Sequence, residues 1–214
     1  TMVRAAADRG AEYHAVTDHA TGPGMVGGVG LSDAELRDQI AAIEDLDASI
    51  QVLAGVETNV DADGDLSTGD DVLADLDVVV ASPHSGLGQD RETATERLVR
   101  AVEHPEVDIL GHPTGRLIND RPGIAPDIER VAAAAAEAGT ALEVNADPRR
   151  LDLDGDAVRI AIEAGATIAI DTDAHGTAAL DNDRYGVHTA RRGWATAADV
   201  LNTRPFDDLS AFLD

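Results

Sequence analysis

Two hydrophobic periods alternate along the chain. Short, largely apolar runs occupy residues 13–17, 52–56, 78–81, 107–110, 141–144 and 167–170, the last of them β-branched, and each reads as a buried strand of the kind found in parallel sheets. Between them lie stretches with helical spacing. Residues 2–8 form one, stopped by Gly10. A capping box of Ser32 and Glu35 opens the next, which runs to about residue 47. Residues 91–103 form a third, ended by Pro105, and 127–138 a fourth, rich in small residues and stopped at Gly139; 156–164 form a fifth. Residues 186–194 and 200–213 read as closing elements, with Trp194 and Phe206 as core anchors. Strand then helix, repeating about every thirty residues, predicts consecutive βα units. Six in series predict an α/β barrel with its strand ends gathered at one mouth. The sequence starts on a helix, so the expected barrel lacks its first strand and fills residues 1–214 as one domain.

Composition narrows the classes. A chain of 214 residues can bury the core of one domain. No apolar run reaches the roughly 20 residues that span a bilayer, so no membrane partner is expected. Cysteine is absent, which leaves His, Asp and Glu as the strong metal ligands. The net charge is -25, and every basic residue is an arginine. Such acidity ordinarily argues against nucleic acid. Combined with the lack of lysine, it reads instead as halophilic adaptation of a cytoplasmic protein, and counts only weakly against a phosphate substrate.

The chemistry gathers where the strands end. Residues 13–17 run into Asp18 and His19, 52–56 into Glu57, 78–81 into His84, 107–110 into His112, 141–144 into Asn145, and 167–170 into Asp171, Asp173 and His175. One histidine at a strand end is more often a core residue than a ligand. Four at successive exits, joined by Glu57 and Asp173, point to a site for Zn, Mn or Fe. His14, His104 and His188 fall outside this pattern. The glycine-rich segment 22–30 lacks a dinucleotide-binding fingerprint and reads as a mobile loop at the mouth. The acidic stretch 61–71 and the trio Asp152, Asp154 and Asp156 fail the EF-hand spacing and read as acidic surface turns.

Thr17-Asp18-His19, Gly55-Val56-Glu57, Ser82-Pro83-His84-Ser85, Gly111-His112-Pro113 and Thr172-Asp173-Ala174-His175 resemble the successive motifs of polymerase and histidinol phosphatase (PHP) domains. Residues 112–117 (HPTGRL), 143–153 (EVNADPRRLDL), 185–194 (YGVHTARRGW) and 200–203 (VLNT) resemble, more narrowly, the C-terminal PHP module of prokaryotic family X DNA polymerases. The resemblance implies a distorted (β/α)7 TIM-like barrel and a centre of up to three Mn2+ and/or Zn2+ ions. It further implies 3'-5' exonuclease action on DNA ends in repair, with polymerase domains of a longer chain as partners. Carried onto this sequence, Glu57 bridges two metals, and His84 and His112 complete one of those sites. Asp173 belongs to the second metal, and His19 and His175 to a third. The H-x-H pair and nearby aspartate of the family's first strand are not in this sequence, so impaired activity is expected. Paired metals lower the pKa of a shared water and neutralise phosphate charge. Asp18 and Asp171 are expected to orient the ligands. Arg116, Arg149 and Arg150 are expected to grip phosphate through their guanidinium forks; for Arg191 and Arg192, surface ion pairs are an equal alternative. Two rival functions are a small-molecule phosphomonoesterase of histidinol-phosphatase type and a non-catalytic scaffold for polymerase domains.

Overall fold

The computed structural model describes residues 1–22, 24–25 and 29–213; the loop expected over 22–30 therefore lies partly outside the described residues. Six parallel strands run in chain order, β1 (Tyr13–His19), β2 (Gln51–Asn59), β3 (Val78–Ser82), β4 (Ile109–Leu110), β5 (Ala141–Asn145) and β6 (Ile168–Asp171). Each pairs with the next, and β1 does not pair with β6, so the sheet curls into a half-barrel with a seam. Helices α1 (Met2–Ala7), α2 (Asp33–Glu44), the short α3 (Asp70–Leu73), α4 (Arg91–Val102), α5 (Ile128–Ala138), α6 (Gly155–Glu163), α7 (Asp183–Arg192) and α8 (Phe206–Leu213) accompany it. Among the described residues, no helix is long and apolar enough to cross a membrane.

Local chemistry explains the boundaries. Ser32 and Glu35 close the capping box that starts α2, and the Asp127 side chain accepts from the Arg130 amide at the start of α5. Gly139 ends α5 with φ 86°, a left-handed turn that glycine enters at little cost. Alternation along the strands then makes two cores. Val79, Ala81, Leu142, Val144 and Ile168 face the helices. Leu53, Val78, Val80, Ile109, Ala141 and Ala169 face the lumen, where α8 packs on them through Leu209 and Phe206.

Several expectations are corrected. The strand expected over 107–110 is only Ile109–Leu110. The Asp108 carboxylate accepts the Val79 amide proton at 2.7 Å, so a side chain takes a donor that strand pairing would have used. Trp194 is not a core anchor: it is 65% exposed, with φ 68°, and Arg159 lies 4.0 Å over its ring. Gly193 makes the close approach to Val158 of α6 instead, at a spot where a β-carbon would clash, and the next residue turns outward. Phe206 does join the lumen core, its ring centroid 6.2 Å from that of Tyr13. Asp152 is no surface residue; it is fully buried, and Asp154 caps α6 at the Ala157 amide. The stretch after Asp61 is an exposed turn in which that side chain accepts the Asp63 and Asp65 amides.

Candidate metal centre

Glu57 lies two residues before the end of β2, in an almost wholly buried stretch, on the lumen side of the sheet near its C-terminal edge. Three neighbouring elements bring imidazoles to it. His84 Nε2 lies 3.3 Å and His112 Nε2 3.0 Å from its Oε1, and His19 Nδ1 lies 3.1 Å from its Oε2. The rings of His19 and His84 are 5.3 Å apart and those of His84 and His112 5.0 Å apart, centroid to centroid. His19, Glu57 and His84 together have the spacing of a metal-binding group. Gly111 lets the His112 turn approach β3, since a β-carbon there would collide with the Ser82 hydroxyl.

The protonation of His84 follows from its partner. Asn59 donates its amide group to the Ala20 carbonyl (3.0 Å) and the Ser67 hydroxyl (3.2 Å), so the Oδ1 that faces His84 Nδ1 at 2.7 Å is an acceptor. His84 thus carries its proton on Nδ1 and presents a bare Nε2 to Glu57. Burial lowers the His84 pKa against the opposing pull of Glu57, which favours the neutral ring. Among the described residues, Nε2 of His84 and Nδ1 of His19 are buried with no hydrogen-bond partner. Two lone pairs aimed at one another across 3.3 Å repel unless a cation lies between them. Divalent metals at about 2.0–2.2 Å from N and O ligands hold those ligands roughly 3 to 3.4 Å apart, the separations seen around Glu57.

Electrostatics point the same way. Burial pushes the Glu57 carboxyl up, but contacts led by the His112 hydrogen bond outweigh this and hold it well below its usual value. Glu143 gains only the His112 amide against its shift, and Asp171 gains nothing. Burial first, then Asp171 and Asp173, raises Glu143 well above the usual range. Burial, then Asp173 and Glu57, raises Asp171 to about 6. A buried cleft with this many carboxylates is short of positive charge. The residues fit a divalent metal on donor type, unpartnered atoms and charge alike.

The other expected residues are distributed around this cluster. Asp173, with φ 48°, accepts from Asn145 Nδ2 at 3.2 Å and lies 3.4 Å from Arg150 Nε. His175 is 70% exposed, its Nδ1 2.9 Å from the Asp173 carbonyl and its ring 5.5 Å from that of His19. Asp18 is exposed on β1, whereas Asp171 Oδ2 is buried without a partner. Arg149 is exposed and pairs with Asp147. Arg116 gives its guanidinium to the Arg150 and Leu151 carbonyls and to Asp154. His14 is half-buried on β1, His104 accepts the Glu106 amide, and His188 is exposed. Sequence reasoning missed Glu143, Asn59 and Asp152. For Glu143 a signal existed, an acid in the lumen-facing register of an otherwise apolar strand.

No family model matches the chain. It is 41% identical over 215 residues to the DNA polymerase/3'-5' exonuclease PolX of Bacillus subtilis (strain 168), covering 99% of this chain and 37% of that protein. It is 34% identical over 146 residues to a probable phosphatase of Caldanaerobacter subterraneus subsp. tengcongensis, covering 66% of this chain and 53% of that one. A probable phosphatase of Thermoanaerobacter sp. (strain X514) is 30% identical over 210 residues, 94% of this chain and 81% of the relative. The chain thus spans little more than a third of the Bacillus protein and about half of the Caldanaerobacter one. Among solved structures, histidinol phosphate phosphatase from Lactococcus lactis, complexed with zinc, L-histidinol and phosphate, superposes with TM-score 0.52 at 19% identity, covering 88% of this chain and 86% of that one. That likeness is one of fold.

Proposed function

The chain belongs to the PHP domain family, and from that premise we propose that it hydrolyses phosphate esters at a divalent-metal centre built on Glu57, acting on DNA 3' ends. The observation that carries the reading is the bare Nε2 of His84 facing the Glu57 carboxylate at 3.3 Å. His84, His112 and Glu57 would hold one ion, Asp173 with Glu57 a second, and His19 with His175 a third, with Mn2+ and Zn2+ both suited to these donors. Such ions, when bound, polarise a phosphoryl oxygen and make water acidic enough to yield a nucleophile near neutral pH.

The chain's own residues define the rest. Asn59 fixes the His84 ring, and Asn145 fixes the Asp173 carboxylate. Among the described residues, Arg150 has a buried Nη1 without a partner beside Asp173, which suits it to take a phosphate oxygen. Arg116 is committed to the loop that carries Arg150, so we assign it to holding that loop. The seam between β1 and β6 opens into a cleft of about 740 Å³, in which a seventh strand would complete a (β/α)7 barrel. The 41% identity to the PolX protein supports DNA as substrate and polymerase domains as partners. A small-molecule phosphomonoesterase is the second reading, favoured by the 30% identity over 210 residues to the Thermoanaerobacter probable phosphatase.

A 5'-labelled oligonucleotide and histidinol phosphate, each incubated with Mn2+, separate these readings. We expect mononucleotide release from the 3' end, reduced at least about 100-fold in Glu57→Gln, the scale of losing one charge contact to a transition state. Phosphate release from the monoester alone selects the second reading. Turnover of neither substrate by a protein that also binds no Mn2+ would overturn both and leave a scaffold.

A further inference from the structure

The turn that carries His112 is braced from two sides by buried carboxylates. Glu143, on the adjacent strand, accepts the His112 amide proton. Asp152, on the loop after β5, accepts from both the amide (3.1 Å) and the hydroxyl (2.9 Å) of Thr114 through one oxygen, Oδ2. The loop bearing Asp152 is itself fastened. Arg116 holds the Arg150 and Leu151 carbonyls, the Ile118 amide donates to the Arg149 carbonyl, and the Leu153 amide donates to the Glu143 carbonyl. Such bracing has a purpose at His112, which sits at φ 23°, outside the usual range for a residue with a β-carbon.

Among the described residues, two buried atoms in this cluster have no partner. One is Nδ1 of His112, and the other is Oδ1 of Asp152. Nε2 of His112 points at Glu57, so a ring that ligates through Nε2 carries its proton on Nδ1. Asp152 is fully buried and tied to Thr114, two residues along from His112; the two unpartnered atoms are not hydrogen-bonded to each other in this structure. Ligating histidines characteristically donate their second N–H to a carboxylate, carbonyl or water.

We propose that Asp152 is the positioning residue of His112: it fixes the turn through Thr114 and receives the Nδ1 proton when Nε2 ligates, completing a carboxylate–imidazole–metal relay. This rests on the reading of His112 as a ligand. It differs from a purely structural role because it requires the negative charge of Asp152 and not its shape alone. Asn at this position keeps an acceptor for Thr114 and loses the charge.

The test compares Mn2+ affinity, by calorimetry, in the unaltered chain, Asp152→Asn and Thr114→Val. The expected result is a loss of about 10- to 100-fold in Asp152→Asn, with a smaller loss in Thr114→Val, which keeps the carboxylate. Equal affinity in the unaltered chain and Asp152→Asn, or a loss no greater than in Thr114→Val, would overturn the relay. Absence of Mn2+ binding by the unaltered chain would instead overturn the metal reading itself. Should Asp152→Asn fail to fold, imidazole ¹H–¹⁵N spectra of the unaltered, metal-loaded protein decide: a protected Nδ1–H on His112 supports the relay, and a proton on Nε2 overturns it.

Discussion

Single residues in this molecule are set by what buries them. Asp108 shows this away from the metal centre. Its carboxyl is raised from 3.8 to about 6, mainly by burial, although the Val79 amide donates to it and opposes the shift. The folded chain therefore holds this proton more tightly than the unfolded chain does. Its contribution to stability is full at low pH, declines as pH rises from about 4 through about 6, and stays lost above. Asp108→Asn keeps an oxygen for Val79 and carries no charge. It should gain about 1 to 2 kcal/mol on the parent at pH 7 and nothing near pH 3.5, measured by denaturant unfolding at both values. Parallel pH profiles for the two proteins would contradict the assignment. Asp152 teaches the complementary lesson. In sequence it looks like Asp154 and Asp156, yet Thr114 and the Arg116 brace, both distant along the chain, take it inside.

At the level of elements, strand positions were legible because burial on both sheet faces leaves uninterrupted apolar runs such as 78–81. β4 was legible only in part. Val107 has strand-like composition, but the Asp108 side chain occupies the neighbouring amide, a contact that periodicity does not encode. The residues clustered around Glu57 were legible because βα units deliver strand ends to one edge. Glu143 was not, since it lies within β5 and only its lumen-facing register distinguishes it. Trp194 misled because an aromatic near a chain end suggests an anchor, whereas Gly193 makes the approach to α6. Helix α8 does serve as an anchor, with Leu209 buried against the lumen side chains. Leu209→Ala should cost about 2 to 4 kcal/mol by cavity formation, read as a fall in melting temperature. An unchanged melting temperature would mean that α8 is not part of the folded core.

Across the whole molecule, one arrangement accounts for most of these features. A half-barrel of parallel strands collects imidazoles and carboxylates from separate βα units at one rim, in a chain already carrying a net charge of -25. Repulsion among Glu57, Glu143, Asp171 and Asp173 needs a counter-charge at that rim, and the unpartnered nitrogens of His19 and His84 show where it would enter. Anomalous diffraction at the manganese edge, from crystals of the chain soaked in Mn2+, tests this most directly. The account predicts a peak between Glu57 Oε1 and the Nε2 atoms of His84 and His112, within about 2.0 to 2.3 Å of each. Crystals equally soaked that show no manganese at this position would contradict it.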